Sequence, residues 1–296
     1  MSYSFAFLDE QSKRCVRRAL LKAVALPGYQ VPFVSRELPI SYGWGTGGIQ
    51  TTCALLGPAD VLKVIDQGAD DSVNALNIKR FFAKTAGIRT TTLTAEATII
   101  QTRHRIPEQR LRSDQILVLQ VPYPEPLRRV EPRETETSRM HAEADYGRMY
   151  VALYEDIVRH GEITLPWQYP AMVNGRYLLS PSPIPRFDNP KLHQADCLFL
   201  FGAGREKRVY AVPPHTDVHS LCFEDHLFRV ESFAGRRCSR CGSPDTYLDE
   251  VIVDADGSRR HQCSDTAFCL RRRENPAVPR GWGHDHPAWL AAGGRV

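Results

Sequence analysis

The sequence lacks long hydrophobic runs. Among its 296 residues, no apolar stretch approaches the roughly 18 residues that a membrane-spanning helix needs. The opening residues, MSYSFAFLDEQSKR, also lack the apolar stretch of a signal peptide. We therefore expect a cytoplasmic protein that does not bind to membranes.

No long basic tract with interleaved aromatic residues is present, which argues against nucleic acid as a partner. The formal charge is only +4, from 38 Lys and Arg against 34 Asp and Glu. Basic residues are nevertheless dense in the short stretches RRCSR, GSRRH and RRRE. This local density suits an anionic small molecule or an acidic partner surface.

The chain has eight cysteines, and disulfides are rare in a reducing cytoplasm. Clustered cysteines are therefore better explained as metal ligands or reactive thiols. Four others stand alone in the sequence: Cys15, Cys53, Cys197 and Cys222. We interpret these four as small buried hydrophobic residues.

The clustered cysteines lie between positions 238 and 269. Cys238 and Cys241 form a C-x-x-C knuckle, and Cys263 and Cys269 return after a predicted hairpin, so their sulfurs can converge on one metal. Spacing alone favours a structural zinc ion bound by all four. The five residues that separate Cys263 from Cys269 also allow a second interpretation, in which three cysteines hold a four-iron, four-sulfur cluster and the fourth thiol stays free.

The hydrophobic pattern predicts an α+β fold: a mixed sheet with packed helices and a C-terminal cysteine-bearing β-hairpin module. Strand patterns occur in ATIIQTRHR, QILVLQV, CLFLFGAGREKRVYAV and LCFEDHLFRVESF. Hairpin turns are predicted at Asn174-Gly175 and at Asp256-Gly257.

Three segments have helical patterns. The first, DEQSKRCVRRALLKAVALPG, is ended by Pro27 and Gly28. The second, DVLKVIDQGADDSVNALNIKRFFAKTAG, predicts two short helices broken near Gly68, the latter with Val73, Leu76 and Phe81 facing inward and Gly87 as its stop. The third, MHAEADYGRMYVALYEDIVRHG, predicts the longest helix, ending at His160 and Gly161.

No internal repeat is visible. We divide the chain into a main catalytic α+β body at 1–230, which carries Gly28 and a glycine-rich loop, and a four-cysteine metal-binding module at 231–273. An irregular tail follows at 274–296.

The glycine-rich loop GWGTGG can aim backbone N–H groups at an anion, with Gly45, Gly47 and Gly48 as the candidate binding residues. It lacks the Lys-Ser/Thr ending of a nucleotide P-loop, and a tight structural turn explains it equally simply. Gly28 has a similar pair of interpretations: a helix terminator, or the site of a backbone radical, which glycine permits because no side chain hinders planarity.

His104 lies between Arg103 and Arg105 at the end of a predicted strand. An ordinary surface or core histidine is one interpretation. A metal ligand or proton carrier beside a basic, phosphate-binding surface is the other.

Several motifs together resemble the catalytic subunit of bacterial carbon-phosphorus lyase. They are FAFLDEQSKR, ALPGYQVPF, YGWGTGGIQ, VLKVIDQGADD, IQTRHRIPE, EPRETET, NGRYLLSPSPIPRFDNPK, FGAGREKRVYAVPP and CSDTAFC. The resemblance runs from about Tyr3 to Leu270, and the tail beyond falls outside it.

The resemblance implies a role for each candidate residue. Cys238, Cys241 and Cys263 would hold a 4Fe-4S cluster that binds and reductively cleaves S-adenosyl-L-methionine. Cys269 would become a thiyl radical and Gly28 would hold a stored radical. His104 would contribute to a metal site at the interface with a partner subunit.

The implied reaction converts alpha-D-ribose 1-methylphosphonate 5-phosphate to 5-phospho-alpha-D-ribose 1,2-cyclic phosphate and methane, in phosphonate catabolism. The implied partners are the other subunits of a carbon-phosphorus lyase core complex. The competing hypothesis is a zinc-binding structural subunit of a multisubunit assembly, in which Gly28 only ends a helix.

Overall fold

The structure is a computed structural model. It describes residues 30–32, 47–66, 68–103, 105–121, 126–143, 145–161, 171–173, 176–179, 184–185, 188–203, 208–220, 233 and 235–278. The candidate residues Gly28, Gly45 and His104 lie outside these ranges. So do Cys15, Cys222, the first predicted helix, the predicted strands of LCFEDHLFRVESF and most of the tail.

Strands and helices alternate along the first half of the described chain. The strands are β1 (Gln30–Pro32), β2 (Val61–Ile65), β3 (Arg89–Thr91), β4 (Ile99–Arg103), β5 (Ile116–Gln120), β6 (Ala171–Val173), β7 (Arg176–Leu179), β8 (Leu198–Ala203), β9 (Arg208–Val212), β10 (Val218–Ser220), β11 (Leu248–Ile252) and β12 (Arg259–Cys263). The α-helices are α1 (Gly47–Leu55), α2 (Val73–Ala86), α3 (Glu134–Glu143), α4 (Gly147–His160), α5 (Asn189–Leu192) and α6 (Thr266–Glu274). None of these helices has both the length and the apolar content required to cross a membrane.

The main sheet has seven strands in the order β1-β9-β8-β5-β4-β2-β3. Strands β3, β2, β4, β5 and β8 run parallel, whereas β9 and β1 add an antiparallel edge. Two smaller antiparallel sheets have the orders β10-β6-β7 and β11-β12. The predicted fold class, a mixed sheet with packed helices and a cysteine-bearing hairpin, is confirmed.

The main sheet is covered on both faces, so its parallel strands are buried on both sides and are mostly apolar, with Lys63 and Gln101 as buried exceptions. On one face, helices α1 and α2 pack against Leu62, Val64, Val118 and Leu200. On the other face, Leu117, Phe199 and Phe201 join the core formed with the β10-β6-β7 sheet. The buried residues of that second core include Ala171, Val173, Leu192 and Val218.

One sequence prediction about helices is wrong. Residues 61–65 form strand β2, which lies between β4 and β3 in the main sheet, and all five are buried. A strand that is buried on both faces has no alternation of polar and apolar residues, so a short apolar run is hard to distinguish from a buried helix. The break at Gly68 is real, but it separates a strand from helix α2.

The inward face of α2 also differs from the prediction. Its buried residues are Ala75, Ile78 and Phe82, whereas Val73 is 75% exposed and Leu76 is 39% exposed. Phe81, also predicted to face inward, is partly buried and packs against this core. The helix begins after Ser72, whose side chain accepts a hydrogen bond from the Ala75 N–H. Ala75 is the first residue of the helix that faces the core.

The predicted longest helix is divided into α3 and α4, with Asp145 and Tyr146 between them. Tyr146 is buried against Leu127, Met140 and Met149, which fixes the break. The predicted stops are confirmed: Gly87 and Gly161 both adopt positive φ angles, of 66° and 74°, and each donates its N–H back to the preceding helix. The β6–β7 and β11–β12 hairpins are also confirmed.

The glycine-rich loop enters helix α1 at Gly47 and Gly48. A Cβ atom placed on Gly48 would lie 2.6 Å from Gln120 Cβ and 2.9 Å from Gln120 Cα, at the carboxyl end of β5. Glycine at this position therefore allows the start of α1 to approach the backbone of the sheet.

We predict that Gly48→Ala destabilises the protein by about 1–3 kcal/mol, because the added methyl group overlaps backbone atoms of β5. The small gain in helix propensity does not offset this at the second residue of a helix. Equilibrium urea denaturation measures the difference.

Gly57→Ala is the matched control. A Cβ there would have only Asp60 Oδ2 in contact, at 3.4 Å, and its change in unfolding free energy should stay within about 0.5 kcal/mol. Equal stability of the two variants would contradict the close approach at Gly48.

Candidate metal centre

Four cysteines converge in the cysteine hairpin, which we define as residues 235–274. Cys238 and Cys241 lie on a turn before strand β11, Cys263 ends strand β12, and Cys269 lies in the first turns of helix α6. The sulfur atoms of all four lie within 4.8 Å of one another. The structure thus brings together the four residues that the sequence predicted as one site.

The turn that carries Cys238 and Cys241 is shaped by backbone hydrogen bonds. The Gly242 N–H donates to the Cys238 carbonyl at 2.8 Å, and Gly242 has a φ of 72°, which glycine adopts without strain. Pairing of Leu248 with Cys263 in the β11–β12 hairpin brings the third cysteine to the same place.

The sulfur atoms lie close to one another, and backbone N–H groups donate hydrogen bonds to Cys238 Sγ. Cys238 Sγ lies 3.6 Å from Cys269 Sγ, and Cys241 Sγ lies 3.5 Å from Cys263 Sγ. The backbone N–H groups of Arg240, Cys241 and Cys263 donate to Cys238 Sγ at 3.4, 3.5 and 3.4 Å. Such N–H groups stabilise a thiolate, which is the form that binds metals.

Three of these thiols, Cys241, Cys263 and Cys269, differ in acidity. Hydrogen bonding from Cys263 is the largest influence that lowers the pKa of Cys269, to about 6. The same interaction and burial raise the pKa of Cys263, and burial raises the pKa of Cys241 to about 11. Cys269 therefore ionises before Cys241 and Cys263.

The spacing of the sulfurs fits a single tetrahedral ion. Zinc–sulfur bonds of about 2.3 Å place the four sulfurs about 3.8 Å apart, close to the observed 3.5 and 3.6 Å pairs. The donor set also has the thiolates that an iron-sulfur cluster requires. Each cysteine of such a cluster binds a different iron, so its sulfurs must lie farther apart than they do here.

The cysteine hairpin lies against the carboxyl edge of the parallel strands. Asp265 begins helix α6 by accepting the Phe268 N–H at 2.9 Å, and its other oxygen accepts the Glu108 N–H at 2.9 Å. Glu108 in turn accepts the Tyr247 N–H at 3.3 Å and pairs with Lys191 at 3.2 Å. Glu108, Asp265 and Lys191 are all at most 4% exposed.

A second set of contacts joins the hairpin to the segment after β2. Lys63 is fully buried and its Nζ donates to Asp70 Oδ2 at 2.9 Å, while the Asp70 N–H donates to Thr266 Oγ1 at 3.0 Å. Gly68 packs so closely that a Cβ there would lie 2.9 Å from the Ser264 carbonyl oxygen.

The two arginines that flank His104 lie at this same edge. Arg103 pairs with Asp66, and the Arg105 guanidinium stacks 3.2 Å from the centre of the Tyr247 ring. This stacking could not be predicted from the sequence, because the partners are 142 positions apart. Cys53 and Cys197 are buried apart from this group, as predicted, and burial raises the pKa of each to about 12.

Comparison with known proteins identifies the family of the chain. The chain is 62% identical over 272 residues to the alpha-D-ribose 1-methylphosphonate 5-phosphate C-P-lyase of Rhizobium meliloti (strain 1021), covering 92% of this chain and 91% of that protein. It is 60% identical over 272 residues to the enzyme of the same name from Escherichia coli (strain K12), covering 92% and 96%. The family model described as phosphonate metabolism protein PhnJ matches residues 1–275. From this match and these identities, the chain belongs to the PhnJ family of phosphonate metabolism proteins.

Proposed function

We propose that this protein is a radical S-adenosyl-L-methionine carbon-phosphorus lyase. It would convert alpha-D-ribose 1-methylphosphonate 5-phosphate to 5-phospho-alpha-D-ribose 1,2-cyclic phosphate and methane. The 62% and 60% identity to relatives that carry the lyase name supports the substrate. The convergence of four cysteine sulfurs within 4.8 Å is the observation that carries the chemistry.

Carbon-phosphorus cleavage explains the need for a radical. In a hydrolytic reaction the methyl carbon of a phosphonate would have to leave as a carbanion, which is a very poor leaving group. Homolytic cleavage avoids this charge. A protein for this task therefore needs a residue that can hold an unpaired electron and attack phosphorus, and a thiol meets both requirements.

Cys238, Cys241 and Cys263 would hold a 4Fe-4S cluster, with S-adenosyl-L-methionine bound beside it. The two groups together supply a one-electron cleavage that starts the radical reaction. These cysteines fit the role in donor type, because thiolates are the usual ligands of iron-sulfur clusters. Their present spacing fits a single ion better, so cluster binding requires the two segments that carry them to separate.

Cys269 would be the residue that acts on the substrate. A hydrogen atom is first removed from Gly28, and the resulting glycyl radical takes the hydrogen atom of the Cys269 thiol. The thiyl sulfur then bonds to phosphorus as the carbon-phosphorus bond breaks. The released methyl radical takes a hydrogen atom from Gly28 and leaves as methane, which restores the glycyl radical. The ribose 2-hydroxyl displaces the sulfur, which returns Cys269 as a thiol.

The electrostatic surroundings suit an anionic substrate. Arg240 lies between Cys238 and Cys241 and contributes to the lowered pKa of Cys269. Three consecutive arginines, Arg271 to Arg273, follow Cys269 on helix α6. A substrate with a phosphonate and a phosphate group would be attracted to this charge.

The remaining site residues are proposed on the resemblance. Gly28 is the proposed radical store, and His104 is a proposed metal ligand at an interface with another subunit of a carbon-phosphorus lyase complex. Gly45, Gly47 and Gly48 are proposed to contact the cofactor. A cytoplasmic location and the division at 230 and 273 belong to the same proposal.

A second candidate function is a structural zinc site in a scaffolding subunit. The tetrahedral spacing of the sulfurs favours it, since zinc would bind without rearrangement. The two candidates differ in colour, in metal content and in the number of cysteines that the metal requires.

We expect about four iron and four acid-labile sulfide per chain after anaerobic reconstitution, because the cluster has this composition. The visible absorption should bleach on addition of dithionite. Iron and acid-labile sulfide per chain are measured by chemical analysis, and the visible spectrum is recorded before and after reduction. Zinc that resists replacement by iron would overturn the cluster and favour the scaffold.

We expect Cys269→Ala to keep its iron and to lose methane release completely, because this cysteine attacks phosphorus and does not bind the cluster. Iron per chain and methane in the headspace are measured on the same sample. Cys263→Ala, in which one cluster ligand is removed, should lose both.

Cys53→Ala is the matched control, since it removes a buried thiol of helix α1 that lies outside the centre. It should keep iron and methane release near the wild-type values. Methane from Cys269→Ala at the wild-type rate would contradict the role of this thiol, and loss of metal equal to that of Cys263→Ala would support the four-cysteine zinc site.

A further inference from the structure

A second group of metal-binding side chains lies apart from the cysteine hairpin. His193, Asp217 and His219 place one ligand atom each within 4.8 Å of the others. Asp217 Oδ1 is 3.1 Å from His193 Nδ1 and 2.6 Å from His219 Nε2. The two imidazole rings lie with their centres 4.2 Å apart.

The fold, and not sequence proximity alone, creates this group. His193 is the residue at which helix α5 ends, Asp217 immediately precedes strand β10, and His219 is the second residue of that strand. The short distances from Asp217 Oδ1 to both imidazoles show that the three side chains meet. Strand β10 is itself held by pairing of His219 with Met172 in β6.

Backbone hydrogen bonds join residues 194–195 to residues 215–216 beside the group. The Gln194 N–H donates to the Thr216 carbonyl at 3.0 Å, and the His215 N–H donates to the Ala195 carbonyl at 2.7 Å. Gln194 and His215 are the non-glycine residues with positive φ in the described ranges, at 52° and 59°. Backbone held in this region is strained, and such strain persists where the surrounding structure requires a defined geometry.

The chemistry of the three side chains is that of a cation site. Two imidazoles and one carboxylate form a set of nitrogen and oxygen donors that binds zinc, iron, nickel or copper. The Val218 N–H donates to His193 Nδ1 at 3.4 Å, a long hydrogen bond that a metal ion on this nitrogen would replace. Donor atoms about 3 Å apart match the spacing of neighbouring ligands around one transition-metal ion.

We infer that His193, Asp217 and His219 bind a divalent transition-metal cation, with zinc the best match to two imidazoles and one carboxylate. Their side chains are 37%, 43% and 56% exposed, so the ion is reachable from solvent. Three protein ligands leave a coordination position for water or for an oxygen of an external ligand, as in open metal sites. This site is built from different residues than the cysteine centre and does not depend on the proposed radical chemistry.

Cobalt(II) is the probe for the experiment, because cysteine ligation gives an intense near-ultraviolet charge-transfer band that histidine and carboxylate ligation does not. The full chain is stripped of metal under anaerobic conditions and titrated with cobalt(II). Bound cobalt per chain is measured by equilibrium dialysis, and the thiolate band reports the cysteine centre separately. The variants are His219→Ala and the near-isosteric Asp217→Asn.

We expect each variant to bind about one cobalt fewer per chain than the wild type at the same free cobalt concentration, with an unchanged thiolate band. His160→Ala is the matched control, because it removes an exposed histidine that pairs with a carboxylate, Asp156, on helix α4. Its cobalt content should equal that of the wild type. Unchanged stoichiometry and affinity in both Asp217→Asn and His219→Ala would overturn the inference.

Discussion

The carboxylate of Asp265 joins two parts of the protein that are far apart in the sequence. One oxygen accepts the Phe268 N–H and begins the helix that carries Cys269, and the other accepts the Glu108 N–H at the edge of the main sheet. Hydrogen bonds to a charged group contribute about 1.5–3 kcal/mol each, and a buried charge without them is strongly destabilising. This one side chain therefore links the start of the Cys269 helix directly to the sheet.

The other contacts between the cysteine hairpin and the main sheet also use buried charges that are paired. Glu108 is held by Lys191 and by the Tyr247 N–H, and Asp70 is held by Lys63 while its own N–H donates to Thr266. Buried charges that are paired and hydrogen-bonded specify one arrangement, because a shifted arrangement would leave them unsatisfied. The cysteine hairpin thus has a fixed place at the carboxyl edge of the parallel strands, which is where open α/β sheets bind their ligands.

The features that could be predicted from the sequence are those formed by residues close together in the chain. The four cysteines, the hairpin between them and the glycine stops at Gly87 and Gly161 could all be predicted, because each depends on residues that are close in the chain. Strand β2 was misassigned as a helix because burial on both faces removes the alternation that identifies a strand. The stacking of Arg105 on Tyr247 and the approach of His193 to Asp217 depend on tertiary contacts, and a single sequence carries no signal for them. The D-x-H spacing of Asp217 and His219 is a local signal, but no prediction was made from it.

Gly68 shows how closely the two parts fit. Its backbone passes the backbone of Ser264, the residue after Cys263, with no room for a Cβ between them. The metal-binding segment is consequently not a cassette that could be exchanged between proteins or grafted onto another scaffold. Transplanted alone, it would keep its four thiols. It would lose the partners of Asp265 and Thr266 and the backbone at Gly68 against which Ser264 packs. Changes in the loop after β2 and changes in the cysteine segment must therefore be compatible with each other, and the two would be expected to evolve as one unit.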